Sequence, residues 1–453
     1  MNLDDALPTR EQPQIEKKQA PRSARGRLAR NSRTALYWSL MGFCLITLVR
    51  PQDVIPGLGS IKPGLMFSVA MLITWVGTKN RDYLIDPIPK LLIAFLCLIA
   101  SGALFAVNPH VLSWAFEDVA TFTLAFSLAF PAVARSLVQR RAFIRFLLLA
   151  NLFTAYWVIT HNGHGQGGHL GDENDASLAL NIGVCLCFAV ARFDRERTWR
   201  LLATAGVFFT AFAVVITGSR GGFVGLIAAG LAIAIFSREL LRALFSIAVV
   251  VLLVLPFVPA NYTADMMTIT DPNDLTRTAR IYSWHRGTDM FLANPVFGVG
   301  ANNYPFRVHE YENSAAAQAE RNDRRSVGGR AAHSLYFTLL PETGTVGVVL
   351  YLSMLITALI RCWKAVRRPL PDAPGDDRRL WAYFVGSALV AFSAGGTFVS
   401  VLYYPHFWML VSFTILLAPT VVMHEGEIRW ETLIRQKKAQ RMRVTRKLPL
   451  DRT

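Results

Sequence analysis

The chain has 453 residues, 53% of them hydrophobic and 17% charged, with a net charge of +16. A bilayer core of about 30 Å takes roughly 20 apolar residues per helix, so this composition points to a protein that crosses a membrane many times. The basic excess does not mark a nucleic-acid binder, because Lys and Arg border the apolar stretches instead of clustering on a soluble domain.

Residues 1–33 are polar and basic, and the first apolar stretch lacks a small-residue cleavage site, which predicts a retained anchor and not a cleaved signal. Apolar stretches then follow at about 35–49, 63–78, 88–106, 114–134, 143–160, 176–191, 199–217, 222–236, 242–258, 334–360, 380–402 and 405–423. The expected fold class is an all-α integral membrane protein with about twelve transmembrane helices. Most of the 47 Lys and Arg fall in the tails and in alternate short loops, which predicts both termini in the cytoplasm and residues 259–333 outside. The chain therefore divides into a basic tail (1–33), a first helical block (34–258), a large external loop containing helices (259–333), a second helical block (334–423) and a basic tail (424–453). Of the five cysteines, Cys44, Cys97, Cys185 and Cys187 fall inside the stretches and Cys362 at a cytoplasmic edge, so none is placed for an external disulfide.

The external segments carry the unusual chemistry. Between the fifth and sixth stretches runs His161-Asn-Gly-His164-Gly-Gln-Gly-Gly-His169-Leu-Gly-Asp172-Glu-Asn174-Asp175, whose glycines leave its histidines and acids without a recognisable metal spacing. A polar loop with Asn174 or Asp175 as a helix cap is the expectation, and no metal or cofactor. Thr217-Gly-Ser-Arg220-Gly-Gly222 sets an arginine where one helix ends and the next begins; helix-start N–H groups there can receive an anion, and an arginine at a span end also snorkels to the interface. The segment Asp274 to Ala293 predicts an amphipathic helix capped by Asp274 or Thr276 and stopped by Asn294-Pro295. Arg277, Arg280 and Trp284 then share one face, and paired guanidinium groups suit a phosphate; because 259–333 balances arginines against acids, a salt-bridged surface helix is the competing reading. His333 opens the tenth stretch, where an imidazole can exchange protons near neutrality or simply cap a helix. Glu342, deeper along the same stretch, requires a partner.

In combination, Ser219-Arg220-Gly-Gly, Arg280-Ile-Tyr-Ser-Trp284, Asn294-Pro-Val-Phe-Gly-Val-Gly300, His333-Ser-Leu-Tyr336 and Glu342-Thr-Gly-Thr-Val-Gly347 resemble the O-antigen ligase and O-antigen polymerase superfamily over roughly residues 200–360. The resemblance implies a bacterial inner-membrane glycosyltransferase of GT-C-like fold, metal-independent, that moves a glycan from undecaprenyl diphosphate to an acceptor on the periplasmic side: lipid A core, a protein or a growing glycan. It implies that Arg220 and Arg280 hold the donor diphosphate and that His333 acts on the acceptor hydroxyl, with Arg277, Trp284 and Glu342 as substrate-binding candidates. Two departures stand out: Ser334 follows the histidine where Asn is frequent, and Arg277 competes with Arg280 for the matching role. Arg50-Pro-Gln-Asp-Val-Ile-Pro-Gly57 and Gly171-Asp172-Glu-Asn174-Asp175 further resemble the probable O-glycosylation ligases found with exosortase-type sorting systems, which implies a protein or exported-polymer acceptor. A polymerase with the same donor chemistry is the nearest alternative. A flippase for lipid-linked sugars is the alternative from another class, disfavoured by the lack of clear internal repeats and interrupted midplane helices.

Overall fold

The computed structural model describes residues 24–78, 81–237, 275–321, 326–367 and 377–418, with isolated helical positions between 238 and 252. Every regular element among them is a helix. In chain order the longer ones are α1 (Ala24–Cys44), α2 (Pro63–Val76), α3 (Pro87–Ser101), α4 (Pro109–Phe122), α5 (Leu137–Thr160), α6 (Glu173–Phe193), α7 (Arg197–Ile216), α8 (Arg220–Phe236), α9 (Leu275–Ala293), α10 (Tyr336–Arg367), α11 (Arg378–Gly395) and α12 (Pro405–Phe413). Nine stretches among the described residues are long and apolar enough to cross a membrane, and Arg220–Phe236 and Pro405–Leu417 are shorter apolar helices. The protein is an all-α integral membrane protein, as its composition requires. Most of the stretch expected at 242–258, the start of the 259–333 segment and the tail at 424–453 lie outside the described residues, whereas the tail at 1–33 is already helical from Ala24.

Helix α6 is the hub. It packs against α7, α8 and α11, and its cysteines, alanines and leucines are buried almost all round, as expected of a helix enclosed by others. A second focus is aromatic: Phe130, Phe143, Trp381 and Phe413 lie with ring centroids 4.7–5.7 Å apart, the range in which aromatic edges and faces attract.

The bundle has two chemically distinct ends. At one, buried ion pairs tie neighbouring helices: Arg361 to Asp86 at 3.0 and 2.8 Å, Arg140 to Asp377 at 3.0 Å, and Arg145 to Asp194 at 3.0 Å. At the other, the linkers before α6, α8, α10 and α12 meet. There the Ser219 hydroxyl donates to Asn174 Oδ1 at 2.8 Å, the Tyr404 hydroxyl to Asp175 Oδ2 at 3.0 Å, and the Leu335 amide to the Gly396 carbonyl at 2.7 Å.

Above this second end lies a separate layer, α9 and the chain from it to His333, with its own small core of Tyr282, Met290, Val299, Tyr304, Val308 and Val327. Its attachment to the bundle is a break in α10. Pro341 lacks an amide, and Gly344 adopts φ 60° and ψ −167° inside the helix. Backbone groups stranded by such a break must find partners inside a membrane protein. The loop Asn294 to Gly300 supplies them: the amides of Val299 and Gly300 donate to the carbonyls of Pro341 and Glu342 at 2.8 and 3.1 Å, and the amides of Thr345 and Val346 donate to those of Pro295 and Val296 at 2.8 and 3.2 Å. Backbone approaches so closely here that a Cβ on Gly344 would lie 2.4 Å from the Val296 oxygen, and one on Gly298 2.5 Å from the Glu342 carbonyl carbon. Gly344→Ala adds this clash to a backbone conformation that only glycine adopts readily, and costs about 3 kcal/mol. Thermal unfolding of the detergent-solubilised variant, compared with the parent, checks the expected fall in midpoint.

Candidate functional site

Helix α8 begins at the second end of the bundle. Its cap is Ser219, whose hydroxyl oxygen accepts from the Gly222 amide at 3.0 Å while the hydroxyl hydrogen goes to Asn174. Arg220 is therefore the first helical residue, fixed by a cap that is itself bonded to the first turn of α6. Helix α9 runs from Leu275 to Ala293 and stops at Asn294-Pro295, as expected. Thr276 falls within the helix, and Asp274 lies outside the described residues.

The two helices face one another across a cavity of ≈ 330 Å³ lined by Arg220, Gly221, Val224, Arg277, Arg280, Ile281, Trp284 and Phe398. The volume falls within the roughly 300–1,000 Å³ typical of ligand sites. Arginines from both helices thus meet over an apolar floor. The spacing of Arg277, Arg280 and Trp284 does place them on one face, and Arg277 and Arg280 both reach the cavity, so the two do not exclude each other.

His333 is positioned through Trp284. The indole Nε1 donates to the Ala332 carbonyl at 2.9 Å, and the indole ring stacks on Phe337 with centroids 5.0 Å apart and planes 6° from parallel. The turn between these contacts holds His333 at φ 49°, an unusual conformation for a residue with a side chain. Ser334 follows as the start of the helical turn, its hydroxyl accepting from the Phe337 amide at 3.4 Å. Asn and Ser are both good helix caps, which accounts for Ser334 standing where Asn is frequent. The His333 ring stays solvent-accessible, and its pKa lies below the usual 6.5: partial burial lowers it first and the Arg280 charge next, while Asp172 opposes and Arg330 adds to the depression. The imidazole is neutral at neutral pH, and it lies within electrostatic reach of both the arginine cavity and the loop before α6.

Glu342 is not part of the cavity wall. It is buried, and its carboxylate accepts from the amides of Asn302 and Tyr304 at 2.9 and 3.0 Å and from the Tyr403 hydroxyl at 2.7 Å. Its partners are protein groups that pin the outer layer and the linker before α12.

The loop 161–175 folds back over the bundle. The cap of α6 is Asp172, accepting from the Asp175 amide at 2.8 Å, not Asn174 or Asp175 as expected. The reason is that Asn174 and Asp175 are engaged elsewhere, with Ser219 and Tyr404. Among the described residues no group of three or more His, Cys, Asp or Glu side chains is arranged to hold a metal ion. Phe398 is a cavity residue that nothing in the local sequence pattern singled out; it arrives from the turn after α11 only through helix packing.

Residues 205–352 match the family model described as O-antigen ligase. The matched stretch, less than half of the chain, is similar to the O-antigen ligase family. It contains every residue lining the cavity except Phe398, together with His333 and the break in α10. The O-antigen ligase match supports a ligase or polymerase function in general terms and a glycan-transferring membrane enzyme. The comparison with curated proteins gives no match.

The charges around His333 predict opposite shifts. In an NMR titration of histidine-labelled protein, the His333 imidazole titrates below 6.5. Removing a neighbouring positive charge with Arg330→Ala moves that titration up, and removing the opposing negative charge with Asp172→Asn moves it down.

Proposed function

We propose that the arginine cavity takes the diphosphate of an undecaprenyl-linked glycan and that the protein transfers this glycan to an acceptor hydroxyl on the periplasmic side of the inner membrane. The observation that carries the reading is the convergence of Arg220, Arg277 and Arg280, from two helices, on one cavity floored by Trp284 and Phe398. Guanidinium groups bind phosphate oxygens in pairs. In a water-poor cavity they stabilise the charge that grows on the departing diphosphate far better than they would in bulk water. The distribution of Lys and Arg along the chain supports an external position for this end of the bundle.

The reaction is a single displacement. The acceptor oxygen forms a bond to the anomeric carbon as the bond from that carbon to the diphosphate oxygen breaks, inverting the configuration. The acceptor proton passes to neutral His333, and the electron pair leaves with the lipid diphosphate beside the arginines. A base so placed contributes about 10²- to 10⁴-fold. No metal is required, because the arginines supply the positive charge. Glu342 acts at one remove, holding the outer layer that carries Arg277 and Arg280 against α10. A protein or exported polymer as acceptor is supported by the Arg50 to Gly57 and Gly171 to Asp175 segments, which resemble probable O-glycosylation ligases. A polymerase remains the second reading, since it uses the same donor chemistry.

Purified protein in nanodiscs, supplied with undecaprenyl-diphosphate-linked glycan and acceptor, tests the assignment by product mass. Arg220→Ala, Arg280→Ala and His333→Ala each lower transfer by at least about 100-fold, with normal insertion and accumulation. Near-normal transfer by all of them removes the catalytic assignment, and lipid-linked ladders in place of a single transferred chain make the enzyme a polymerase.

A further inference from the structure

Trp284 belongs both to the wall of the arginine cavity and to the support of the turn that carries His333. Two contacts fix its ring. The indole N–H donates to the Ala332 carbonyl at 2.9 Å, and Phe337 covers one face of the indole, with the two planes 6° from parallel. Nε1 is the only polar group an indole has. What Trp284 presents to the cavity is therefore its opposite face and its free edge, an apolar aromatic surface held in a set orientation.

The order of side chains along α9 gives that surface a place in a sequence. Arg277, Arg280 and Trp284 follow one another at spacings of three and four residues on the face that lines the cavity. From Arg280 to Trp284 the helix rises about 6 Å, and against the indole edge lies Ala332, the neighbour of His333. An anion gripped by the arginines thus has an aromatic ring one helical turn away, on the side of the imidazole.

The rest of the wall narrows what can lie on that ring. Apart from the arginines, the cavity is lined by Gly221, Val224, Ile281, Trp284 and Phe398, and none of these offers a polar side-chain group to it. A sugar bonded to the diphosphate meets no side chain there that binds hydroxyls, other than the guanidinium groups that hold the phosphates. A pyranose has a second means of recognition. Its hydroxyls project around the rim of the ring, while its faces expose C–H groups made slightly positive by neighbouring oxygens, and these complement the negative face of an aromatic ring. The cavity, at ≈ 330 Å³, reaches the size range of ligand sites, so a diphosphate does not fill it.

We propose that Trp284 is the platform for the first sugar of the donor, the pyranose bonded directly to the diphosphate, and that this sugar is held by stacking a C–H face on the indole. The proposal rests on the glycan-transfer reading and names the part of the donor that the cavity takes besides the diphosphate. With the ring so seated, the anomeric carbon lies between the arginines, which receive the leaving group, and His333, which takes the acceptor proton. Sugar and base then share one support, because the same indole holds the turn of His333.

The test measures the binding of two lipids of equal charge to full-length protein in nanodiscs: undecaprenyl diphosphate bearing one glucose, and undecaprenyl diphosphate bearing a methyl ester in place of the sugar. The parent binds the glucosyl lipid about tenfold more tightly, the scale of one aromatic stacking contact. Trp284→Phe keeps an aromatic face and loses the N–H to Ala332, and it retains most of this preference. Trp284→Leu loses both and binds the two lipids alike. A parent without the preference, or a Leu variant that keeps it, overturns the sugar platform while leaving the arginine cavity as a diphosphate site. Should the Leu variant bind neither lipid, the Phe variant decides: a retained preference supports the stacking, and equal binding of the two lipids overturns it. If Arg220→Ala in the parent weakens the binding of neither lipid, the donor-site reading fails and this proposal falls with it.

Discussion

The arrangement of the site depends on one backbone exchange, the docking of Asn294 to Gly300 into the broken segment of α10. A helix interrupted inside an apolar bundle leaves amides and carbonyls that water cannot reach, and each such orphan costs enough to demand a partner. The loop meets that demand from outside the helix. In doing so it fixes the outer layer, and with it the face of α9 that carries Arg277, Arg280 and Trp284, relative to the start of α10. Glu342 locks the same joint by a different route, because its carboxylate takes two loop amides and the Tyr403 hydroxyl at once. Sequence motifs far apart in the chain, Asn294 to Gly300 and Glu342 to Gly347, are therefore two halves of one contact.

Two further joints of the same kind organise the rest of that end. Asn174 holds the hydroxyl that caps α8, so the first turns of α6 and α8 are joined by hydrogen bonds. Trp284 holds the Ala332 carbonyl and stacks on Phe337, so α9 and the turn carrying His333 are likewise coupled. The side chains of interest thus sit on the start of α8, on α9 and on a short turn, with hydrogen bonds tying α8 to α6 and the turn to α9. Rigid support of this type is what a constellation of charged groups needs if it is to meet a ligand without reorganising.

Much of this architecture is visible in the residues alone, because a membrane simplifies the code. Apolar stretches of sufficient length and the bias of Lys and Arg define the spans, and the stop at Asn294-Pro295 defines the end of α9 within a residue. The three- and four-residue spacing of Arg277, Arg280 and Trp284 was enough to put them on one face, since α9 is regular. What escaped was whatever depends on contact between distant segments. Phe398 enters the cavity only because α11 packs beside α8, and no local pattern marks it. Asn174 and Asp175 both belong to residue types that cap helices well, and the partners that engage them instead, Ser219 and Tyr404, belong to other parts of the chain. Glu342 read as an acid at membrane depth in need of a partner, and the nature of that partner, backbone amides and a tyrosine, is a tertiary fact.

The length of α8 has a bearing on how a lipid would reach the arginines. Its 17 residues rise roughly 26 Å at 1.5 Å per residue, several ångströms short of a typical hydrocarbon core of about 30 Å. A span shorter than its bilayer is accommodated by local thinning or by flanking side chains that stretch toward the head groups. Arg220 opens this helix, so its guanidinium stands at one of the two ends that can make up the difference. On the proposed function, thinning of this kind beside Arg220 would let a polyprenyl carrier meet the arginine at the height of its own phosphates.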